Sequence, residues 1–439
     1  MMKDILRHWS FTTQVALNAF VGYLFMKFLA SNWGTSSHKD AFDVAYSVPF
    51  MLMSMSGFVF FEALIAAKFS GVHSKDFNYA NDLFSGILSY LLLCFTSLVV
   101  LAAMFSIPLT ELLAPGLQGA AKHEAVSLIV LLMPLVLVLG VGSFLSSILT
   151  AYGVPVGAEV CQAVSRMGIV GSWWIFGYAP TLNETALSLC VFGAVGLAFL
   201  WMMFTRVTGF HYKPRLDVGK GKMCSLMSQG FGLLLTAVLA QVAMGLLRAL
   251  ASMDGVGSIA MMTYALALIY PLSILAGKPL ALVMGPRYIR YLKSGDVHSA
   301  KWILLSCCVG LFLVTMSMAS AIYWNAREVV GLAFGGGLFD ASAAEKTGRL
   351  LELAVWALPA EAISRVLLMP LLSDGRMHAV SIIYSARYIL QMVISYPLFV
   401  HHGRNGLMVS YVIAVGFQVL FEGLYLFRFM VRRMPAAVA

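Results

Sequence analysis

Eight ionisable side chains stand inside stretches of this chain that are otherwise apolar enough to lie in lipid: Lys27, Glu62, Arg166, Arg248, Lys278, Glu361, Arg365 and Arg387. A charge at the centre of a spanning helix costs roughly 2.5–3.5 kcal/mol on insertion scales, so such residues usually face a bundle interior or a wet cavity. The chemistry they offer is electrostatic capture. Cations outnumber carboxylates, which points to an anionic guest, and phosphate or pyrophosphate would meet Arg as a planar fork and Lys as a point charge. Simpler roles compete at several positions. Lys27, Arg166 and Arg387 can snorkel to an interface, and Glu361 and Arg365, four residues apart, can satisfy each other on one helix face. Glu422, near the end of the last apolar segment, reads as interfacial. Arg248 and Lys278 sit well inside long apolar runs with no acid at helical spacing, so they are the strongest candidates for a cavity wall.

Bond-making chemistry finds no comparable constellation. The histidines lie mainly in loops, and no HExxH, GxSxG or paired-carboxylate arrangement is present. Gly335-Gly336-Gly337 follows no strand and carries no GxxxxGK[ST] pattern, so segment 331–348 reads as a flexible or re-entrant extracytoplasmic connection rather than a phosphate cradle. Without a Walker motif, an ATP-driven pump within this chain is disfavoured. The 6 cysteines fall inside apolar segments without metal-ligand spacing to histidine. The reading is therefore of a protein that is not an enzyme and needs no cofactor; a coupling cation of unknown identity is the one small ligand left open.

Long apolar segments must position these charges. Of 439 residues, 60% are hydrophobic and 11% charged, and the mean hydropathy is +0.86, whereas a soluble domain has roughly 45–50% apolar and about 25% charged residues. A spanning helix needs about 20 mostly apolar residues. Twelve such segments can be marked, near 11–30, 42–68, 84–107, 125–151, 158–179, 185–205, 225–250, 258–286, 302–324, 350–372, 379–400 and 406–427. The short alternating strands of a membrane β-barrel are missing. The class is an all-α polytopic membrane protein.

A net charge of +9 would suggest nucleic acid in a soluble protein, but here Lys and Arg gather on alternate loops. With both termini cytoplasmic, seventeen fall on the inner side, and only Lys39, Lys122, Arg327, Lys346, Arg349 and Arg404 on the outer. This bias reports topology and contact with anionic lipid headgroups, and argues for no nucleic acid. The first apolar segment is long and lacks a small-residue cleavage site after it, so it reads as a retained helix rather than a signal peptide.

The two halves echo one another. Val72-His73-Ser74 recurs as Val297-His298-Ser299, and Pro49, Pro134, Gly153 and Arg166 recur as Pro271, Pro359, Gly375 and Arg387, all at offsets of 221 to 225 residues. Between the halves lies the basic stretch 206-RVTGFHYKPRLDVGKGK-222. The expected organisation is an N-terminal six-helix bundle over 1–208, a basic cytoplasmic linker over 209–222 and a C-terminal six-helix bundle over 223–439. About twelve transmembrane helices then form two bundles related by a parallel repeat, an arrangement that suits rocking about a central cavity. Pro49 and Gly57 let the second segment bend, and Pro271 does the same in the eighth, so both prolines are gating candidates. Glu62 and Glu361 are the candidates for ion coupling. Gly and Pro on both sides of 277-GKPLALVMGPR-287 favour a kinked or broken eighth helix.

Asp40-Ala41-Phe42, Ala45-Tyr46 and Val48-Pro49 resemble the DAFFVAYxIPN start of helix 2 in the MurJ/MviN lipid flippases of the MOP superfamily. Leu113-Ala114-Pro115-Gly116 is similar to that family's APGF segment, and 144-FLSSILTAYGVPVGAE-159 to its ASLLQAILNTWNRFSIPA region. Gln241, the Tyr270-Pro271 turn and 291-YLKSGD-296 fit the same template, as does 365-RVLLMPLLSDGRMHAV-380 beside RVLAPAFYALGDTRTPV. The resemblance spans nearly the whole chain.

It implies a MOP/MATE-like fold and a bacterial inner-membrane flippase that moves a polyprenyl-diphosphate-linked glycan, lipid II in the type family, to the outer leaflet by alternating access. Asp40 carries over directly. The arginines that line the family's cavity from helices 1, 2 and 8 are matched here by Phe25, Met53 and Leu266. Lys27, Arg248 and Lys278, with Arg365 and Arg387, stand as replacement charge for the substrate. Two further functions fit the same residues: an ion-coupled small-molecule exporter of the superfamily, and a non-transporting membrane subunit that partners a glycan synthase or polymerase.

Overall fold

The computed structural model describes residues 2–56, 69, 77–152, 154, 159–176, 180–216, 220–373 and 377–433. Among them the chain is helical nearly throughout, with one isolated bridge between Gly336 and Phe339. Each of the twelve expected segments coincides with a helix or with a helix broken near its middle, the second being described only as far as Ser56. Eight of the described helices are long and apolar enough to cross a membrane, or up to nine if one bent pair counts as a span. The chain divides into two compact units, Met1–Gln241 and Val242–Ala439.

The first unit contains α1 (Met2–Trp33), α2 (Ser37–Met55), α3 (Phe77–Met104), α4 (Ser106–Leu113), α5 (Gly119–Leu132), α6 (Pro134–Ala151), α7 (Glu159–Phe176), α8 (Leu182–Thr208) and the start of α9 (Lys220–Met253). Span Gly119–Ala151 is 78% buried and forms the middle of the unit, whereas Phe77–Met104 is only 28% buried and turns Leu93, Val100 and Leu101 outward. Helix α8 begins at a capping box: the Thr181 hydroxyl accepts from the Glu184 N–H at 3.3 Å, and the Glu184 carboxylate accepts from the Thr181 N–H at 2.7 Å. Phe84 organises the core, 4.9 Å from Phe204 and stacked on Phe144 at 5.8 Å and on Phe210 at 5.7 Å between ring centroids.

The stretch after α8 does not hang free. Gly209 closes the helix at φ +70°, and residues 210–216 run along α3. Asn81, Ser85 and Ser89 accept from the backbone N–H groups of His211 at 2.8 Å, Lys213 at 3.2 Å and Arg215 at 3.2 Å. The match is geometric, because two extended residues advance about 6.6 Å and four helical residues about 6 Å. Arg215 also pairs with Asp82 at 2.7 Å. The expected linker therefore begins as an anchored strap.

The second unit contains the end of α9 with α10 (Ser258–Lys293), α11 (Val297–Trp324), α12 (Ala326–Phe334), α13 (Ala341–Ala354), α14 (Ala357–Ser373), α15 (Met377–His402) and α16 (Arg404–Arg433). Helix α14 lies against α10, α11 and α16, and α15 packs along α16. The Gly-rich segment 331–348 forms the end of α12, a turn closed by Asp340 capping α13 at Ala343, and the first part of α13. The eighth segment departs from expectation: Pro271, Pro279 and Pro286 all lie within the continuous helix α10. Each proline removes one ladder bond, and the turns on either side keep theirs. The sharp break falls instead between α13 and α14, which bend by 47°. The first unit interrupts its helix at the repeat-equivalent place, Met133 before Pro134, as the second does just before Pro359.

Candidate functional site

Three helices of the second unit lay polar stripes against one another. Glu361, Ser364 and Arg365 share a face of α14 by their three- and four-residue spacing; Tyr384 and Arg387 do so on α15, and Tyr411, Gln418 and Glu422 on α16. Arg387 is the hub. Its Nη2 donates to Glu361 Oε1 at 3.0 Å and its Nη1 to Gln418 Oε1 at 2.5 Å. Tyr411 Oη donates to the same Glu361 oxygen at 3.0 Å. Gln418 Nε2 then donates to Ser364 Oγ at 2.5 Å and to Glu422 Oε1 at 2.9 Å. Glu361 is 6% exposed, Arg387 7%, Gln418 1% and Glu422 0%, so the network is sealed from water. Charges this deep stay only where partners satisfy them.

Arg365 forms the edge of this network. It is half-buried, 3.9 Å from Glu361 Oε2, donates to Ser273 Oγ at 3.2 Å and lies over the Tyr270 ring at 5.6 Å. Its two contacts on α10 flank Pro271. The backbones come close here: a Cβ on Gly277 would meet the Ala362 carbonyl oxygen at 2.7 Å and Arg365 Cβ at 3.2 Å. The i,i+4 partnership expected for Glu361 and Arg365 is thus the weaker one, since Arg387 on α15 is the closer partner of Glu361.

The remaining sequence-selected residues lie outside this network. Arg248 on α9 and Lys278 on α10 are half-buried in the second unit. In the first unit Lys27 is half-buried on α1, Asp40 is buried in the first turn of α2, and Pro49 is buried inside that helix. Glu62 lies outside the described residues. Arg166 on α7, the repeat equivalent of Arg387, donates to Tyr46 Oη at 3.4 Å, and among the described residues no carboxylate lies within ion-pair distance of it. Gly22 leaves room for its guanidinium, because a Cβ there would stand 3.3 Å from Nη1.

Two readings of single residues are corrected. Glu422 is not interfacial: α16 continues to Arg433, about three turns further, which carries the carboxylate into the unit. Lys39 does not lie in a solvated outer loop. It belongs to α2, is fully buried, and pairs with Asp43 at 2.5 Å one turn on. Both had a signal in four-residue spacings, Lys39 with Asp43 and Gln418 with Glu422. Ser364, Tyr384 and Tyr411 had none, because their partners come from other helices.

A chain helical nearly throughout its described residues, with eight or nine apolar spans among them and charge buried between its helices, defines the class, a polytopic α-helical membrane protein. Two solved structures share the fold: "Lipid II flippase MurJ, inward closed conformation", with TM-score 0.80 and 16% identity over 98% of this chain and 90% of that one, and an inward-facing multidrug resistance MATE family transporter of the MOP superfamily, with TM-score 0.77 and 14% identity over 96% of each. The family model described as lipid II flippase MurJ matches residues 29–436, and the chain belongs to that family. Similar relatives are the probable lipid II flippase MurJ of Buchnera aphidicola subsp. Schizaphis graminum, 21% identical over 90% of this chain and 78% of the relative, and that of Buchnera aphidicola subsp. Acyrthosiphon pisum, 22% identical over 78% and 68%. The family is one of transporters rather than enzymes.

Proposed function

We propose that the protein is a bacterial inner-membrane flippase that carries a polyprenyl-diphosphate-linked saccharide, lipid II or a related lipid-linked glycan, from the inner to the outer leaflet by alternating access. The observation that carries this reading is the family match over residues 29–436. In the proposed cycle 1–208 and 223–439 are the moving bundles, 209–222 is the cytoplasmic connector, and both termini are cytoplasmic. Lys27, Asp40, Arg248, Lys278 and Arg365 serve the anionic headgroup, and Arg387 reaches it only when the cycle opens its ties to Glu361 and Gln418; Glu62 and Glu361 serve ion coupling, and Pro49 and Pro271 gating. Support for the headgroup role comes from the excess of Lys and Arg over Asp and Glu inside the apolar segments, which favours an anionic guest. Anionic lipids hold the basic inner loops, and a glycan synthase or polymerase is the natural neighbour.

The test is reconstitution in liposomes with a fluorescent lipid-linked glycan. Arg248→Ala and Lys278→Ala should each abolish translocation while the protein still folds and inserts. Unchanged flipping in both variants would remove these residues from the site, and efflux of small cations without glycan movement would favour the exporter.

A further inference from the structure

Glu422 differs from the other carboxylate of the buried network. Glu361 meets Arg387 and Arg365, whereas among the described residues no cation lies within ion-pair distance of Glu422. Its Oε1 accepts from Ser364 Oγ at 3.0 Å and Gln418 Nε2 at 2.9 Å; its Oε2 is buried and has no hydrogen-bond partner. Among the described residues the surrounding helices bring no cation that is left to pair with it. Helix α15 brings the Tyr384 hydroxyl beside the Glu422 carboxylate, 3.2 Å from Ser364 Oγ, and Arg387 further off, which is committed to Glu361 and Gln418. Helix α14 brings Glu361 and Arg365, and α10 brings Tyr270 beneath Arg365. Cys308 faces Glu422 from α11, whose Lys301 lies over Phe427 at 5.0 Å. On α13, Glu345, Lys346 and Arg349 are exposed and Glu352 is half-buried, none of them within ion-pair distance of Glu422. An ionised Glu422 would be a buried charge held by neutral donors alone, with no described cation within ion-pair distance. A neutral one leaves a single hydroxyl unmatched, which costs far less.

We propose that Glu422 is a proton-binding site of the transport cycle, holding a proton on Oε2 in this conformation and giving it to water when the cycle wets the site. Its use in the cycle rests on the flippase reading; its chemistry does not. Gln418 makes the proton consequential, since its Oε1 accepts from Arg387 while its Nε2 donates to Glu422. Loss of the proton breaks one O–H bond, passes the proton to water, and leaves a second carboxylate that competes with Glu361 for Arg387. The Gln418 amide stands between the two and must rearrange. Occupancy of one oxygen thereby biases the tie between α14, α15 and α16.

Infrared spectroscopy on the full chain in lipid nanodiscs, with no lipid-linked glycan, tests this. The difference between the wild type and Glu422→Gln at neutral pH should contain a carboxylic-acid C=O band that moves in heavy water and vanishes from the wild type as pH is raised. Loss of a carboxylate band instead would overturn the proposal, as would a signal that follows sodium concentration and ignores pH. Dicyclohexylcarbodiimide, which attacks protonated carboxyls in apolar settings, should modify Glu422 and spare Glu361; the reverse pattern would also overturn it. Glu422→Asp retains the acid band at a changed frequency and guards against a folding defect in Glu422→Gln. Absent glycan flipping by the wild type would break the flippase reading and leave the spectroscopic result standing.

Discussion

Arg166 and Arg387 occupy equivalent places in the two halves, 221 residues apart, and live in opposite electrostatic states. Arg387 is pinned between Glu361 and Gln418, which ties three helices together. Arg166 has a long hydrogen bond to Tyr46, and its guanidinium lies close against Gly22. Both halves therefore carry the cation, and among the described residues only the second pairs it with a carboxylate. A buried cation with a carboxylate partner is a strut, since removing either member leaves the other unpaired. A cation held by one phenol contributes little to packing.

The contrast can be broken most sharply at Arg387. Arg387→Leu leaves Glu361 buried with the Tyr411 hydrogen bond and only the distant Arg365 as counter-charge, and should cost about 3–5 kcal/mol in unfolding free energy measured in mixed micelles. Adding Glu361→Leu should recover much of that loss, because the orphaned charge goes with it; a double variant as unstable as the single one would mean that packing, not charge, is what Arg387 supplies.

Glycines beside the two arginine regions give the next effect. Gly277→Ala pushes against the carbonyl oxygen of Ala362, which is backbone and cannot swing away, so about 1–3 kcal/mol of destabilisation is expected in the same assay. Gly22→Ala meets only the mobile end of Arg166 and should cost well under about 1 kcal/mol. Equal costs at the two glycines would show that the first unit is as tightly locked as the second.

The smallest change is expected at Arg166 itself. Arg166→Met removes a charge that has no carboxylate partner among the described residues, and stability should move by less than about 1 kcal/mol in either direction. A loss as large as that of Arg387→Leu would erase the distinction between strut and loosely held cation.

Much of the fold was legible in the residues, because apolar length is a local property. Each of the twelve segments marked by hydropathy has a helical counterpart among its described residues, the second only as far as Met55, and the Pro134 and Pro359 pair sits beside a helix break in each half. The site was legible only in part. Glu361, Arg365 and Arg387 stood out as charges in apolar runs, but their pairing did not: four-residue spacing favoured Arg365 for Glu361, and the closer partner came from another helix. Lys39 illustrates the reverse error, a lysine next to a loop that the fold encloses within the unit. Proline was a poor guide to bending in α10, which runs through three of them, because packing along α14 and α11 supports the turns around each missing bond.

By itself the sequence determined the class of protein, the number and place of its apolar segments, the duplication and the presence of costly charge at membrane depth, since each follows from composition and spacing along one chain. Only the tertiary structure decided which charges are satisfied. Ion pairing and desolvation depend on distances between helices far apart in sequence, and so it is packing that makes Arg387 a strut, leaves Arg166 with no carboxylate partner among the described residues and buries Glu422 beyond ion-pair reach of the described cations.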